Sequence, residues 1–222
     1  MNILRFASLI ALSAAIGTGS ACAEDKAPEQ PSPAVVAYAK EFVAKWSDDA
    51  KLIAAIKAST AKNSKLSFDE VTILDSQWRV AKSGVEKEKR AAEALKELAS
   101  GKSIDEHIKA GEALIKTALA TETSKFLTEQ LEKAQPKGAI TEIFVMDGWG
   151  WNVGQTSATS DYYQGDEGKW QKTFASADPN EIEILDIEEE DGIRFANVSL
   201  PIKENGKNVG AVTVGVDVNI VK

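Results

Sequence analysis

The chain has 222 residues and a formal net charge of −8, which disfavours nucleic acid and anionic membrane surfaces as partners. It contains one histidine and one cysteine, so the common nucleophile and base pairs of enzymes are missing. The G-x-S-x-G, H-E-x-x-H, P-loop and G-x-G-x-x-G motifs are also absent from the sequence. The composition therefore predicts a non-enzymatic protein without a cofactor, and a glycosidase that uses carboxylates alone is the enzyme class left open.

Residues 1–23 have the layout of a cleaved secretory signal, with a positive start, a short apolar segment and Ala21-Cys22-Ala23. The apolar segment is shorter than the roughly 20 residues that span a bilayer, and no later apolar stretch is longer. We expect cleavage after Ala23 and a periplasmic or secreted protein whose mature chain does not insert into the membrane. The alternative is a lipoprotein in which Cys22 is lipidated. This alternative is less favourable, because Gly19 stands where a lipoprotein signal normally has an aliphatic residue.

A flexible leader is predicted at residues 24–33, which are polar and rich in proline, and a helical region at 34–135. Apolar residues at helical spacing predict a first helix from Ala34 to about Ala58. The pair Ser67 and Glu70 forms a capping box, which predicts the start of a second helix.

This second helix runs to Leu98 with a candidate kink at Ser83-Gly84. Ser103 with Glu106 predicts the start of a third helix, which continues through Leu131 until Pro136. The only histidine, His107, is predicted to be exposed on this helix, and no second histidine or cysteine accompanies it, so no metal site is predicted.

Residues 136–222 are predicted to form an antiparallel sheet domain, to which the helix at 103–135 also belongs. The predicted strands are Ile140–Met146, Trp149–Gln155, Ile182–Ile187, Ile193–Ile202 and Val209–Val218, with a short helix at 166–175. Asn205-Gly206 between the last two strands is a strong hairpin signal. The order of elements predicts an α+β fold in which N-terminal helices pack on a sheet of about five strands.

Alternation along the last strand separates two faces. The face with Val212, Val214 and Val216 is predicted to pack on the helices, whereas the face with Thr213 and Gly215 is smaller and more polar, as the floor of a cavity would be.

Five large aromatic residues lie in one polar, turn-forming stretch between the second strand and the short helix. They are Trp149, Trp151, Tyr162, Tyr163 and Trp170. Aromatic rings in such a context are typical of a concave binding surface, although burial in a small core is the common fate of single aromatic residues.

The ordered set of segments over residues 105–219 resembles the Cache family of extracellular, PAS-like sensor domains. A long helix leads into a strand that ends at Asp147-Gly148, similar to the family's D-x-x-G first hairpin. The stretch 159–167 (TSDYYQGDE) resembles its loop over the pocket, and Trp170 with Phe174 the short helix that follows. Residues 199–217 resemble the family's closing hairpin.

In this family the pocket lies between the sheet and the loops after the second strand. Carried over by position, the resemblance implies a set of ligand-binding residues: Trp149, Trp151, Tyr162, Tyr163, Trp170, Arg194 and Asp217. The chain departs from the amino-acid-binding subgroup, because Gly168 stands where its Arg-x-Trp element requires arginine. An amino-acid ligand is therefore not supported.

The charge of the ligand stays open from the residues alone. Arg194 could bind a carboxylate, or could pair with the acidic run Glu188–Asp191 at the strand end. An aromatic box could instead bind a cationic amine, with Asp147, Asp161 or Asp217 as the counter-charge.

The resemblance implies an extracytoplasmic module that binds a small molecule and signals through a membrane-bound receptor or kinase. The alternative is a non-enzymatic structural or interaction protein of the cell envelope, in which the aromatic stretch serves as core.

Overall fold

The computed structural model describes residues 28–222. The expected signal peptide at 1–23 and the first part of the leader lie outside these residues. Six helices come first: α1 Pro33–Ala44, α2 Ala50–Asn63, α3 Phe68–Ser83, α4 Lys89–Leu98, α5 Ile104–Leu119 and α6 Glu122–Lys133. The strands follow, interrupted by one short helix: β1 Ile140–Met146, β2 Asn152–Gln155, α7 Gly168–Gln171, β3 Glu183–Ile184, β4 Glu188–Glu190, β5 Ile193–Glu204 and β6 Lys207–Asp217.

Both predicted capping boxes are present, and each begins a helix. Ser67 accepts a hydrogen bond from Glu70 N at the start of α3, and Ser103 does the same for Glu106 N at the start of α5. In both boxes the glutamate side chain accepts in return from the backbone of the capping serine. These reciprocal bonds satisfy backbone donors that the first helical turn leaves without partners.

All three predicted helices are divided. The second ends at its candidate kink, where Gly84 follows α3 with a φ of 85°, and α4 begins at Lys89. Local capping explains the other two breaks. The first divides at Asp49, whose carboxylate accepts from Lys51 N and Leu52 N and so starts α2. The third divides at Thr121, whose hydroxyl accepts from Ser124 N at the start of α6. A side chain that bonds to nearby backbone offers the chain an alternative to a continuous helix.

The sheet is antiparallel, with strand order β2-β1-β6-β5-β3, and β4 pairs with β5 beside β3. The α+β prediction is confirmed, with six strands where about five are predicted. Of the segment predicted as one strand over Ile182–Ile187, only Glu183–Ile184 forms a strand, β3, and the additional strand β4 follows it at Glu188–Glu190. The β5–β6 hairpin turns at Asn205-Gly206, which both adopt positive φ, at 50° and 77°.

The face of the sheet with the β6 valines carries the main core, as predicted. Val212, Val214 and Val216 are fully buried against apolar residues of α1, α2 and α6, among them Phe42, Ile56 and Leu127. The opposite face carries a smaller cluster of Phe144, Met146 and Ala211, which α7 and its neighbourhood cover with Trp170 and Phe174. The division of the chain into a helical region and a sheet domain stays a prediction.

His107 is buried, and the prediction of exposure is wrong. It packs between α3 and the end of α4, where its Nδ1 lies 3.0 Å from Gln77 Nε2 and its Nε2 lies 3.2 Å from the Ala99 carbonyl. Both ring nitrogens therefore have partners inside the helical region. Within residues 28–222, no helix has the length and apolar character to cross a membrane.

Candidate functional site

A cavity of about 640 Å³ lies on the face of the sheet opposite the valine core. β1 and β5 supply its floor with Glu142, Phe144, Phe195 and Asn197, and we call this space the sheet cavity. Its walls come from the loop 157–160, Gln164, Lys169, the end of α3 and the β4 strand. The volume is within the range of about 300–1,000 Å³ that is typical of small-molecule sites.

A β-bulge and a glycine shape the floor of the sheet cavity. In the register of the sheet, Gly215 on the central strand β6 lies between Glu142 on β1 and Asn197 on β5. The β1–β6 register shifts between Ile140 and Glu142, which leaves Thr141 as the extra residue. A Cβ atom on Gly215 would lie 2.3 Å from Thr141 Oγ1 and 3.0 Å from Glu142 Cγ. Glycine is therefore required there for the polar side chains of β1 to lie over the centre of the sheet.

Glu142 is the ionisable group on the floor. Burial raises the pKa of its carboxyl, and the neighbouring acids Glu190 and Glu188 raise it further, whereas the Asn197 amide and the Lys169 charge lower it. The Lys169 ammonium lies 5.8 Å from the centre of the Phe144 ring. At that distance the charge is attracted to the face of the ring.

Three of the predicted site residues form a packed aromatic cluster with a residue of α3. We define the aromatic cluster as Trp78, Trp151, Tyr162 and Tyr163. The Trp78 and Tyr162 rings stack with centroids 4.7 Å apart, and the Trp151 ring lies 5.1 Å from Tyr162 and 5.2 Å from Tyr163. Trp151 is 2% exposed and Trp78 is fully buried, and at these centroid distances the rings pack directly on one another.

Polar bonds hold the loop of this cluster to α3. The Asp75 carboxylate accepts from the backbone N–H groups of Tyr162 and Tyr163, both at 2.9 Å. Trp78 Nε1 donates to the Thr159 carbonyl at 2.8 Å. The loop that walls the sheet cavity is thus attached directly to α3.

The predicted site residue Asp161 belongs to the same attachment. Its carboxylate lies 3.3 Å from Arg79 Nη1, and the same guanidinium donates to Glu88 at 2.9 Å. Burial raises the pKa of Asp161, and the Arg79 charge opposes this rise. Asp161 therefore has a structural partner on α3.

Because Asp75 is mostly buried, the stability of the protein depends on the protonation of its carboxyl group. Desolvation raises the pKa of Asp75 from 3.8 to about 6, against the two backbone hydrogen bonds that lower it, and its side chain is 18% exposed. The folded protein thus binds this proton up to about pH 6, whereas the unfolded chain releases it near 3.8. The stabilisation from protonated Asp75 is complete below the unfolded value and is lost as the pH rises through the folded one.

We expect Asp75→Asn to remove this dependence. The free energy of unfolding of the wild type minus that of the variant should be larger near pH 4 than near pH 7, by up to about 3 kcal/mol. Urea denaturation of both proteins at the two pH values measures the difference. The Glu142 carboxyl titrates in both proteins and cancels, whereas the charge of Asp161 interacts with that of Asp75 and belongs to the measured difference. A difference that does not change with pH contradicts the expectation.

Asp147 organises the turn between β1 and β2. It is fully buried, and its carboxylate accepts from Ser59 and Asn63 of α2 and from the backbone N–H groups of Trp149 and Trp151. Its own carbonyl accepts from Trp170 Nε1 at 2.9 Å. Trp149, in contrast, is 48% exposed at the tip of this turn.

Arg194 and Asp217 lie at one end of the sheet, near the start of β5 and at the end of β6, and both point away from the sheet cavity in their contacts. Arg194 belongs to the β5 row of Ala196 and Val198, which faces the helical core, and it pairs with Glu29 at 2.6 Å instead of with the acidic run. The Asp217 carboxylate accepts from Asn219 N and Ile220 N in the turn after β6.

None of the nine predicted site residues, all of which the structure describes, lines the sheet cavity. The structure joins Trp151, Tyr162 and Tyr163 in the aromatic cluster, joins Asp147 with Trp149 and Trp170 at the β1–β2 turn, and leaves Arg194 and Asp217 apart. Their part in ligand binding stays a prediction.

The face of β6 with Thr213 and Gly215 was predicted to be a cavity floor, but the residues of β1 and β5 that line this floor were not predicted. One signal was present, because Phe195, Asn197 and Ser199 alternate on β5 with the apolar row that faces the helices. A buried asparagine in such a row, next to the polar face of β6, indicates a polar cavity floor. In the part of the chain that is described, no three His, Cys, Asp or Glu side chains lie close enough to share a metal ion.

No protein-family model matches the chain, and no curated protein matches it. Among solved structures, it is similar to the sensor domain of the V. cholerae histidine kinase DctB, at 11% identity over 85% of this chain and 58% of that one, with a TM-score of 0.34. It is also similar to the ligand-binding domain of the Campylobacter jejuni chemoreceptor Tlp3. The complex of that domain with 4-methylisoleucine matches at 15% identity over 70% of this chain and 62% of that one, with a TM-score of 0.33. The complex with L-valine matches at 15% identity over 77% and 64%, with a TM-score of 0.31.

The chain spans about three fifths of the length of these solved chains.

Proposed function

We propose that this protein is an extracytoplasmic, non-enzymatic sensor module that binds a small molecule in the sheet cavity. The observation that carries the proposal is a cavity of suitable size whose lining includes buried polar side chains with unsatisfied atoms. Gln164 is 1% exposed and Asn197 is 7% exposed, and the side-chain oxygen of each has no hydrogen-bond partner among residues 28–222. Buried polar groups are nearly always satisfied, and we propose that a bound molecule completes these two oxygens once their side chains turn towards the cavity, because neither oxygen has accessible surface of its own.

The route from the cavity to the helices passes through one loop. Ser160 and Gln164 line the cavity, and the same loop is bonded to α3 at Thr159, Tyr162 and Tyr163. A ligand that binds one position of this loop more tightly than another shifts the equilibrium between the two positions, by an amount set by the difference in affinity. Because the loop is bonded to α3, the orientation of α3 changes with it. The partner that reads this shift is, in our proposal, a membrane-bound receptor or kinase, as the family resemblance implies.

Gln164→Met separates ligand binding from folding. The Gln164 Nε2 donates to the Asp161 carbonyl at 2.8 Å, but that carbonyl also accepts from Thr159 Oγ1 at 2.7 Å and so keeps a partner. Methionine is nearly isosteric and removes the unsatisfied oxygen. We expect the melting temperature without ligand to be unchanged or higher, because an unsatisfied buried acceptor costs about 1–3 kcal/mol.

The same variant is expected to lose the ligand-induced rise in melting temperature. A thermal-shift screen of the wild type against a metabolite panel identifies the stabilising compound, and the variant is then measured with that compound. Thr128→Val serves as the control that retains the rise, because Thr128 is exposed on α6 and does not line the cavity. A compound that stabilises both proteins equally binds elsewhere and contradicts the proposal.

A structural or interaction role is the second candidate function. It is favoured by the aromatic cluster, whose rings pack on one another as a core does. Under this alternative no compound of the panel stabilises the wild type, and Gln164→Met does no more than raise the melting temperature.

A further inference from the structure

We propose that the sheet cavity selects a small organic cation, whose ammonium group is bound by Glu142 on the cavity floor. This inference rests on the proposed function, since it names the chemical class of ligand for the same cavity. It is carried by three features of the lining: the unsatisfied atoms, the buried charge and the aromatic floor.

The unsatisfied side-chain atoms of the cavity lining are hydrogen-bond acceptors. Gln164 Nε2 donates to the Asp161 carbonyl, and this contact fixes the amide so that Oε1 is the atom left without a partner. Asn197 Oδ1 is the second such atom. Acceptors are completed by a ligand that donates, and an ammonium group has donors and no acceptor. A carboxylate ligand would add acceptors and leave both atoms as they are.

The mostly buried charge on the floor is negative. Within residues 28–222, Glu142 forms no ion pair, since no lysine, arginine or histidine nitrogen lies within 4.0 Å of its carboxylate. Three further acids, Glu188, Glu190 and Asp191, stand on the β4 side of the cavity. A mostly buried carboxylate without an ion-pair partner favours a cation that enters its surroundings.

The floor is also aromatic, and the protein already places a cation over it. Phe144 and Phe195 line the floor, and the Lys169 ammonium lies over the Phe144 ring. The position next to Phe144 and Glu142 is thus compatible with a positive charge on the protein itself. A ligand ammonium would take the same kind of position, with Lys169 as its competitor.

Two lysines on the opposite rim favour anions, but their influence is weaker. Lys82 and Lys87 are exposed at the end of α3 and before α4. The interaction of an exposed charge is screened by water, whereas the effective dielectric constant is several times lower at a mostly buried site such as Glu142. The charge on the floor therefore decides the sign of the ligand.

The test uses three probes of nearly equal size and different charge: n-butylammonium, 1-butanol and butyrate. Each is titrated into the purified ¹⁵N-labelled protein, with the amide signals of Phe144, Asn197 and Gly215 as reporters. We expect butylammonium to shift these signals at lower concentration than butanol, and butyrate to leave them unchanged. Glu142→Gln should weaken butylammonium binding about tenfold or more, because it removes the charge and keeps the shape. Glu93→Gln, at an exposed site on α4, is the matched control and should leave binding unchanged.

Lys169→Met provides a second test, whose sign depends on the ligand. If the ligand is a cation, removal of the competing ammonium tightens butylammonium binding, by about threefold. If the cavity prefers anions, the same change weakens butyrate binding and leaves butylammonium without effect, and the inference is overturned.

The failure of this inference is distinguishable from failure of the proposed function. Binding of butyrate or butanol at the three reporters, without binding of butylammonium, overturns the cationic class and leaves the cavity as a ligand site. A metabolite panel without any stabilising compound, together with three probes that shift no reporter, overturns both.

Discussion

Trp78→Ala is expected to lower the free energy of unfolding by about 3–5 kcal/mol, the range for loss of a large buried aromatic side chain. Trp78 is fully buried, its ring stacks on Tyr162, and its Nε1 donates to the Thr159 carbonyl. Alanine removes all three interactions and leaves a cavity between α3 and the loop. Urea denaturation at neutral pH measures the change.

Trp78→Phe and Trp149→Ala are the controls for this variant. Phenylalanine keeps a stacking ring and loses the donor to Thr159, so we expect a cost of about 1–3 kcal/mol and faster hydrogen exchange in the loop 157–164. Trp149 is 48% exposed, and its truncation should change stability by about 0.5 kcal/mol or less. Equal costs for the alanine variants at Trp78 and Trp149 would contradict the structural role assigned to Trp78.

The role of Trp78 could not be predicted from the sequence, and the reason is physical. Its position at helical spacing with apolar neighbours predicts burial, which is correct. Its stacking partner Tyr162 is 84 positions further along the chain, and only the packing of α3 against the loop brings the two rings together. Burial is encoded by local pattern, whereas the choice of partner depends on tertiary structure.

Elements that depend on local chemistry were predicted well. The capping boxes at Ser67 and Ser103 begin α3 and α5, and the turn at Asn205-Gly206 joins β5 and β6. β1 has the predicted bounds, Ile140–Met146. In each case neighbouring residues suffice to determine the backbone conformation.

The helix breaks and the cavity floor depend on information that no single segment holds. Helical spacing of apolar residues continues across Thr121, although the helix is interrupted there, and α5 packs mainly on α3 whereas α6 packs on β1 and β2. The cavity floor arises because β6 lies between β1 and β5, which brings Glu142 and Asn197 to either side of Gly215. The aromatic residues of the stretch 149–170 predicted a site in the loop beside the cavity, whereas the cavity floor consists of the polar residues Glu142 and Asn197 and the rings of Phe144 and Phe195 on the sheet.

Gly111→Ala is expected to destabilise the protein by about 3 kcal/mol, at the upper end of the range for overpacking. A Cβ atom at this position of α5 would lie 2.0 Å from the Gln77 carbonyl oxygen and 2.7 Å from Ala81 Cβ on α3. Gln77 O is a backbone atom, so no side-chain rotation relieves the contact and α3 must move away. The sign of the change in unfolding free energy distinguishes the two cases, because alanine at an unconstrained helix position stabilises a protein relative to glycine by about 1 kcal/mol.

Gly101→Ala is the matched control, since a Cβ atom there meets nothing within 4 Å and Gly101 lies outside the helices. Its effect should be about 0.5 kcal/mol or less. Because α3 also carries Trp78 and Asp75, its displacement in Gly111→Ala should release the loop 157–164 and increase hydrogen exchange there. Two results would show that α3 and α5 are not in backbone contact. One is an equal free energy of unfolding for the two variants, and the other is a Gly111→Ala protein that is more stable than the wild type. The route that we propose from the sheet cavity to the helices would then lose its basis, because that route requires α5 to hold α3 in place.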